Sequence, residues 1–143
     1  MPDTAITVPT ELRRDLAIAS VRSTIVDVPT VRRHKLSSLS VTAQSYVIVE
    51  IRLANGAEGV GEAATLGGPR WSEERVESIK ATIETCLAPA LEGLPADRFA
   101  LADARMDAAA KRSNAAKAAI ETALCRRLQR GSVPTAPACG AGG

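Results

Sequence analysis

The dipeptide Asn55-Gly56 separates two short stretches whose apolar side chains alternate along the chain. The first stretch is SYVIVEIRL at 45–53, and the second, AEGVGEA at 57–63, follows the dipeptide at once. The apolar set of the first stretch is Val47, Val49, Ile51 and Leu53. A period of two is typical of a half-buried strand. Asn-Gly favours a type I′ turn, because both central residues of that turn need φ > 0. The segment therefore predicts an antiparallel hairpin with a type I′ turn.

The second strand of this hairpin contains Gly59 and Gly61. A glycine inside a strand removes a side chain that would otherwise pack. It marks either a bulge or a position where another backbone approaches closely. The sequence leaves both alternatives open.

A further strand is predicted at 18–28, IASVRSTIVDV, where the alternation places Ile18 on the same side as Ser20. Pro29 follows directly. Proline fixes φ and has no N–H to donate, so we expect Pro29 to end the strand. Residues 30–43 would then form a loop, which contains the basic run RRHK at 32–35 and no acidic residue.

After TLGGPRW at 65–71 the period of the apolar residues becomes helical. The repeating positions of the first helix are Val76, Ile79, Ile83, Leu87 and Ala90. Ser72 is the predicted N-cap, and the acidic residues at 73–74 would lie in the first turn. Pro89 and Gly93 are expected to mark the end of this helix.

Two more helices are predicted, at about 97–111 and from Asn114 to about 128. Their apolar positions are Phe99, Ala102, Met106 and Ala109 in the first, and Ala116, Ala119, Ile120, Ala123, Leu124 and Leu128 in the second. Strands followed by helices predict an α+β domain in which helices cover one face of the sheet. We assign this domain to 17–128, with a flexible extension at 1–16 and a disordered tail at 129–143.

Composition argues against nucleic acid as a partner. Eighteen Lys+Arg oppose sixteen Asp+Glu, which gives a formal net charge of +2, too balanced for binding driven by phosphate neutralisation. The aromatic residues that would stack on bases are few: Tyr46, Trp71 and Phe99. No apolar run reaches the length of a membrane span, and the first sixteen residues lack the apolar region of a secretory signal. A cytoplasmic protein is expected.

The side chains that could hold a metal or a disulfide do not cluster. Cys86, Cys125 and Cys139 are odd in number and lack C-x-x-C spacing, which argues against both a disulfide framework and a zinc site. His34 is the single histidine of the chain. Neither a metal site nor a catalytic residue is predicted in this chain.

Several stretches taken together resemble one family. They are IVDVPTVRRHKLS at 25–37, YVIVEIRLANGAEGVGEAATLGG at 46–68, ESIKATIETCLAPALEG at 77–93 and AAKAAIETAL at 115–124. In this order they resemble the N-terminal capping domain of the muconate cycloisomerases, in the mandelate racemase and muconate lactonizing branch of the enolase superfamily. The resemblance implies a three-stranded antiparallel meander followed by about three helices.

In that family the cap precedes a modified α/β barrel that holds Mn²⁺ or Mg²⁺ and the catalytic residues. The resemblance implies conversion of cis,cis-muconate to muconolactone in the degradation of aromatic compounds. A barrel needs about 200 residues, and only nineteen follow Leu124. We therefore expect the barrel to be absent, the chain alone to be inactive and to bind no metal, and the abrupt loss of resemblance after Leu124 to reflect a truncated or frameshifted gene.

The resemblance also implies that two cap segments, 30–43 and 65–71, lie over the substrate. His34 and Lys35 are the preferred residues for binding a small dicarboxylate, and Trp71 is a weaker candidate for an apolar wall. Arg32 and Arg33 are more simply explained as solvated cations. Glu62 is interpreted as a structural residue, because a general base needs a paired acid or metal within reach.

Three interpretations remain open. The chain is the cap of a muconate cycloisomerase; or the cap of a relative acting on chloromuconate, a dipeptide or succinylbenzoate; or an independent binding module. A cap without its barrel exposes an apolar face, so self-association through that face is also expected.

Overall fold

A computed structural model describes residues 15–35, 40–65 and 73–132 of this chain. Three antiparallel strands form one sheet in the order β1-β2-β3. They are β1 (Ile18–Lys35), β2 (Ser40–Leu53) and β3 (Glu58–Ala64). The expectation of a three-stranded meander is confirmed.

The strand β1 does not end at Pro29 as we expected. Its pairing with β2 shifts register between Pro29 and His34 and then resumes. Proline cannot donate to a ladder, and strands tolerate it at such irregularities. At this irregularity the hydroxyl of Thr30 donates a hydrogen bond to the carbonyl oxygen of Thr42 at 3.0 Å. The predicted loop at 30–43 is thus largely a two-stranded ribbon.

The turn between β2 and β3 is also not the predicted type I′ turn. The N–H of Gly56 donates to the carbonyl of Leu53 at 2.9 Å, and the N–H of Leu53 donates to the carbonyl of Ala57 at 2.8 Å. Gly56 has a φ of 80°, whereas Asn55 is not among the described residues with positive φ. This geometry is a three-residue loop in which a left-handed glycine follows a type I turn. The side chain of Asn55 stabilises it by accepting the N–H of Ala57 at 3.0 Å.

A bulge at the start of β1 changes the face of one predicted residue. Ile18 pairs with Leu53 and Ser20 pairs with Arg52, so Ala19 is the extra residue. An extra residue reverses the alternation. Ile18 is therefore buried in the core, on the side opposite to the one that the simple alternation predicts.

Helix α1 runs through three consecutive segments. They are α-helical Val76–Thr82, π-helical Ile83–Leu87 and α-helical Ala88–Leu91. A proline ring clashes with the carbonyl four residues earlier in a regular helix, and the wider turn directly before Pro89 allows the helix to pass it. The helix ends two residues later, and Gly93 then adopts a φ of 85°, as the predicted glycine stop requires.

The predicted N-terminus of α1 was wrong. Arg75 occupies the N-cap position and the acidic residue of the first turn is Glu77, so residues 73–74 precede the helix. Ser72, the predicted cap, lies outside the described residues. The side chain of Glu74 instead accepts the N–H of Ala115 at 3.0 Å. That N–H belongs to the first turn of the last helix, where a carboxylate is favourable.

Helix α2 is Phe99–Ala109 and helix α3 is Asn114–Ser132. The predicted apolar positions of α3 from Ala116 to Leu124 are all buried, whereas Ala109 of α2 is exposed. The side chain of Leu128 lies outside the described residues. Lys117 of α3 donates to Asp107 of α2 at 2.6 Å and joins the two helices.

The helices pack on one face of the sheet, which confirms the predicted α+β arrangement. The fully buried side chains of this core include Val47, Val49 and Ile51 from β2, Ile79, Ile83 and Leu87 from α1, and Ile120 and Leu124 from α3. The opposite face of the sheet exposes Val26, Val28 and Val60. Self-association through an exposed face stays a prediction.

The predicted domain boundaries shift slightly. Leu16 packs against the core and its carbonyl accepts the N–H of Ala96 at 2.9 Å, so the domain includes residues that we assigned to the extension. The predicted tail at 129 begins inside α3, which continues to Ser132. Residues 1–14 and 133–143 lie outside the described part. Within the described part, no helix is long and apolar enough to cross a membrane.

Candidate functional site

The ribbon consists of residues 28–35 of β1 and 40–45 of β2, which pair with each other but not with β3. The third strand stops at the pair between Tyr46 and Ala64. Side chains of the ribbon are mostly exposed, and Val31 is fully so. Most side chains of this part of the sheet therefore face solvent and do not pack in the core.

The predicted cationic residues lie at the outer end of the ribbon. Lys35 pairs with Ser40 and His34 pairs with Val41 through the backbone. Arg32, Arg33 and Lys35 are exposed. The side chain of His34 lies outside the described part of the chain, so its role in binding stays a prediction.

No acidic residue interrupts the chain between Asp27 and Glu50. Among the ion pairs of the described residues, none involves Arg32, Arg33 or Lys35. The end of the ribbon thus concentrates positive charge without neutralising it. Such a surface attracts an anion, and the attraction weakens as salt increases.

The inner end of the ribbon is held by polar contacts that sequence patterns missed. Ser45 donates to the carboxylate of Asp27 at 2.5 Å, which ties β2 to β1. The side-chain amide of Gln44 donates to the carbonyl of Thr65 at 3.1 Å, which ties β2 to the residue after β3. The alternation places these residues on a strand, but it contains no signal for the partners that they select.

The two predicted cap segments begin at the same end of the sheet. The ribbon leaves the three-stranded part at Tyr46, and β3 ends beside that residue at Ala64. Thr65 follows and is buried with 8% exposure. Residues 66–72 continue from there and lie outside the described residues, as does the predicted site residue Trp71. The structure thus brings together the starting points of the two segments.

Glu62 lies on β3, two residues before Ala64, and pairs with Ile48. It lines a cleft of about 280 Å³ together with Val60, Thr122 and Arg126. Among the described residues, no group of three or more His, Cys, Asp or Glu side chains is arranged to hold a metal ion.

Two carboxylates with lowered pKa values lie on the helices and serve the fold. The pKa of Glu84 is lowered chiefly by its hydrogen bond from Lys80, with a further contribution from Ser23. The pKa of Asp107 is lowered chiefly by its hydrogen bond from Lys117. The Lys80 contact lies within α1, the bond from Ser23 to Glu84 connects β1 to α1, and the bond from Lys117 to Asp107 connects α2 to α3. None of them lies in the ribbon.

A capping fold of this kind, with a meander and helices on one face, defines the class of protein. A family model described as "Mandelate racemase / muconate lactonizing enzyme, N-terminal domain" matches residues 20–130. The chain belongs to this family.

Individual similar proteins show which members of this family the chain resembles. "Muconate cycloisomerase 1-2" of Acinetobacter lwoffii is 45% identical over 118 residues, which are 82% of this chain and 31% of the relative. A crystal structure of muconate lactonizing enzyme from Pseudomonas fluorescens, complexed with muconolactone, matches this chain with a TM-score of 0.77 and 37% identity. The match covers 81% of this chain and 32% of that enzyme's chain. A 2-chloromuconate cycloisomerase from Rhodococcus opacus has a TM-score of 0.77 and 42% identity, with coverage of 81% and 31%.

The chain thus spans about a third of the length of these relatives, and the shared part is their N-terminal domain. The expected enolase-type cap is confirmed as the fold of this chain.

Proposed function

We propose that this chain is the capping domain of a cycloisomerase acting on muconate or a chloromuconate. The exposed cations of the ribbon, Arg32, Arg33 and Lys35, which form no ion pair within the described residues, carry this proposal. The similar proteins, which include both muconate and chloromuconate cycloisomerases, support the substrate class. The catalytic groups and the metal, Mn²⁺ or Mg²⁺, belong to a barrel that this chain does not contain.

In this proposal the ribbon acts on the substrate carboxylates. A cation beside a carboxylate attracts it from solution and compensates for the water that the carboxylate loses on binding. Lys35 can supply such a charge-assisted hydrogen bond, which is stronger than a neutral one. His34 is its neighbour in the same ribbon and is proposed for the same role. We expect the chain alone to hold substrate weakly and not to turn it over, because the resemblance places the catalytic groups of the family in the barrel.

A hybrid enzyme tests the function. Residues 20–130 of this chain would replace the matching part of the Acinetobacter lwoffii relative, whose barrel is retained. We expect the hybrid to convert cis,cis-muconate, or a chloromuconate, to the lactone. Loss of activity in a folded hybrid, with either substrate, would contradict the proposal and would favour an independent binding module.

Lys35→Ala in this hybrid tests the cationic ribbon. Losing one charge-assisted hydrogen bond corresponds to a rise in KM of about tenfold. Lys111→Ala is the matched control, because Lys111 is an exposed lysine on the connection between α2 and α3. Equal KM values for the two variants would show that the ribbon is not part of the substrate-binding site. Degradation of aromatic compounds and a cytoplasmic location remain predictions of this proposal.

A further inference from the structure

The sheet changes from three strands to two over a very short distance. Tyr46 still pairs with Ala64 of β3, whereas Ser45 and Gln44 pair only with β1. At such an edge, the carbonyl groups that would have faced a third strand need other partners. The angle between the ribbon and the rest of the sheet therefore depends on the residues at which the third strand ends.

The side-chain amide of Gln44 donates hydrogen bonds to two carbonyl groups at this position. Its side-chain nitrogen Nε2 lies 3.1 Å from the carbonyl oxygen of Ser45 and 3.1 Å from that of Thr65. A glutamine amide has two N–H donors, so both are used. The Gln44 side chain is half-buried and Thr65 is buried, which strengthens these bonds relative to solvent-exposed ones.

The other polar contacts of the ribbon do not reach β3. Ser45 bonds to Asp27, and Thr30 bonds to the carbonyl groups of Val41 and Thr42, so these contacts connect β1 with β2. Among the side-chain hydrogen bonds of the described residues, that of Gln44 to Thr65 alone joins the ribbon to the end of β3. Within the described residues, Gln44 is therefore the side chain that connects the ribbon to the residue after β3.

We infer that Gln44 is a positioning residue that fixes the direction in which the cationic end of the ribbon projects. Its amide replaces the strand pairing that stops at Ala64, and it acts through the ribbon without touching substrate. The consequence for substrate binding rests on the proposed function. The positioning itself does not, and it can be measured on the 143-residue chain alone.

Amide exchange measured by NMR on this chain tests the inference. Gln44→Glu keeps the length of the side chain but replaces both donors by acceptors that face two carbonyl oxygens. We expect the ribbon amides of Val28, Thr30 and residues 41–45 to exchange about fivefold faster, which is the effect of losing one ordinary hydrogen bond, that to Thr65. Amides of Val49 and Ile51 in the three-stranded part should keep their rates.

Thr42→Val is the matched control, since Thr42 lies on the same strand, is exposed and differs from valine by one hydroxyl. It should leave all rates within a factor of two. Unchanged exchange in the Gln44 variant overturns the inference, and so does equal acceleration throughout the sheet, which is the sign of a general loss of stability. If Gln44→Glu does not fold, Gln44→Met removes the donors without adding charge and is judged by the same two outcomes.

The hybrid enzyme separates this inference from the proposed function. There, Gln44→Glu should raise KM about fivefold and leave kcat within a factor of two, because the ribbon contributes equally to binding substrate and transition state. An inactive hybrid would count against the proposed function, while the exchange rates would still decide the role of Gln44.

Discussion

The three-stranded part of the sheet and the ribbon share the strands β1 and β2, but they differ in what surrounds their side chains. In the three-stranded part, Val49 is fully buried beneath the helices, whereas Val31 in the ribbon is fully exposed. The first part is specified by packing, because apolar burial is the main stabilising contribution to folding. The ribbon is specified by strand pairing and a few polar contacts. The proposed binding function lies in the part that contributes least to stability.

The largest expected effect is at Gly61, in the packed part. A Cβ atom added there would lie 1.9 Å from the carbonyl oxygen of Ala119, which is backbone and cannot rotate away. Gly61→Ala should lower the free energy of unfolding by about 3 kcal/mol or more, since overpacking forces the helix off the sheet. Urea denaturation of the 143-residue chain measures this change.

Gly56→Ala is the control for this prediction. No atom lies within 4 Å of an added Cβ at Gly56, but φ there is +80°. The cost should be about 1 kcal/mol, from backbone conformation alone. If the two variants were equally stable, the close approach of α3 to β3 would be wrong.

A pair of identical substitutions measures the contrast between the two parts directly. Val49→Ala should cost about 2 kcal/mol, from lost burial and the cavity left behind. Val31→Ala should stay within about 0.5 kcal/mol, as expected for an exposed side chain. Thermal or urea unfolding of the two variants checks this, and a large loss for Val31→Ala would mean that another part of the chain covers the ribbon.

The third effect is the pH dependence of the packed part. The pKa of Asp107 is lowered in the folded chain by the hydrogen bond from Lys117, so its stabilising contribution is present above the ordinary carboxyl pKa, near 4. It is lost as the pH falls through the lowered pKa. Asp107→Asn should therefore destabilise the chain at pH 7 and make stability fall less steeply below pH 4.

Lys117→Met provides the complementary measurement for the same pair. Removing the ammonium removes the cause of the lowered pKa, so this variant should show the same shallower acid limb in urea denaturation. Acid limbs that match the unmodified chain in both variants would contradict the assignment. The ribbon, residues 28–35 and 40–45, contains no carboxylate, so its variants Val31→Ala and Thr30→Val should leave the acid limb unchanged.

The smallest effect is expected inside the ribbon. Thr30→Val removes the hydroxyl that bonds to the carbonyl of Thr42 across the register shift. We expect the global free energy of unfolding to change by less than about 0.5 kcal/mol, while nearby ribbon amides exchange faster, because local opening is independent of global unfolding. A global loss of 1 kcal/mol or more in denaturant would show that the ribbon and the packed part unfold as one unit.

Much of the packed part was predictable because it depends on periodicity. The period of two placed Val47, Val49 and Ile51 on the core face of β2, and the helical period placed Ile79, Ile83 and Leu87 on the core side of α1. One of the two alternatives for the glycines was confirmed at Gly61, where α3 approaches the sheet. A bulge there is excluded, because the register between β2 and β3 is regular.

The errors share a physical cause. The wrong predictions rest on strong local signals, each of which is compatible with several local structures: Pro29, Ser72 and Asn55-Gly56. Proline ends a strand or sits at an irregularity within it, and Asn-Gly serves either a type I′ turn or a type I turn with a left-handed glycine. The choice depends on the register of strands that are distant in sequence. The helix start at Val76 was likewise missed: Glu74, predicted in the first turn of α1, precedes this helix and accepts the N–H of Ala115 in α3.

The candidate site divides in the same way. The sequence by itself determined that a basic run without acidic neighbours follows the strand predicted at 18–28 and that the chain resembles the capping domain of the muconate cycloisomerase family. The tertiary structure decided that this run is a ribbon, that the ribbon and the segment after β3 start at the same end of the sheet, and that Gln44 connects them. The reason is that composition and periodicity record which residues prefer burial, whereas the partner of a hydrogen bond between Gln44 and Thr65 is fixed only when the strands take their final register.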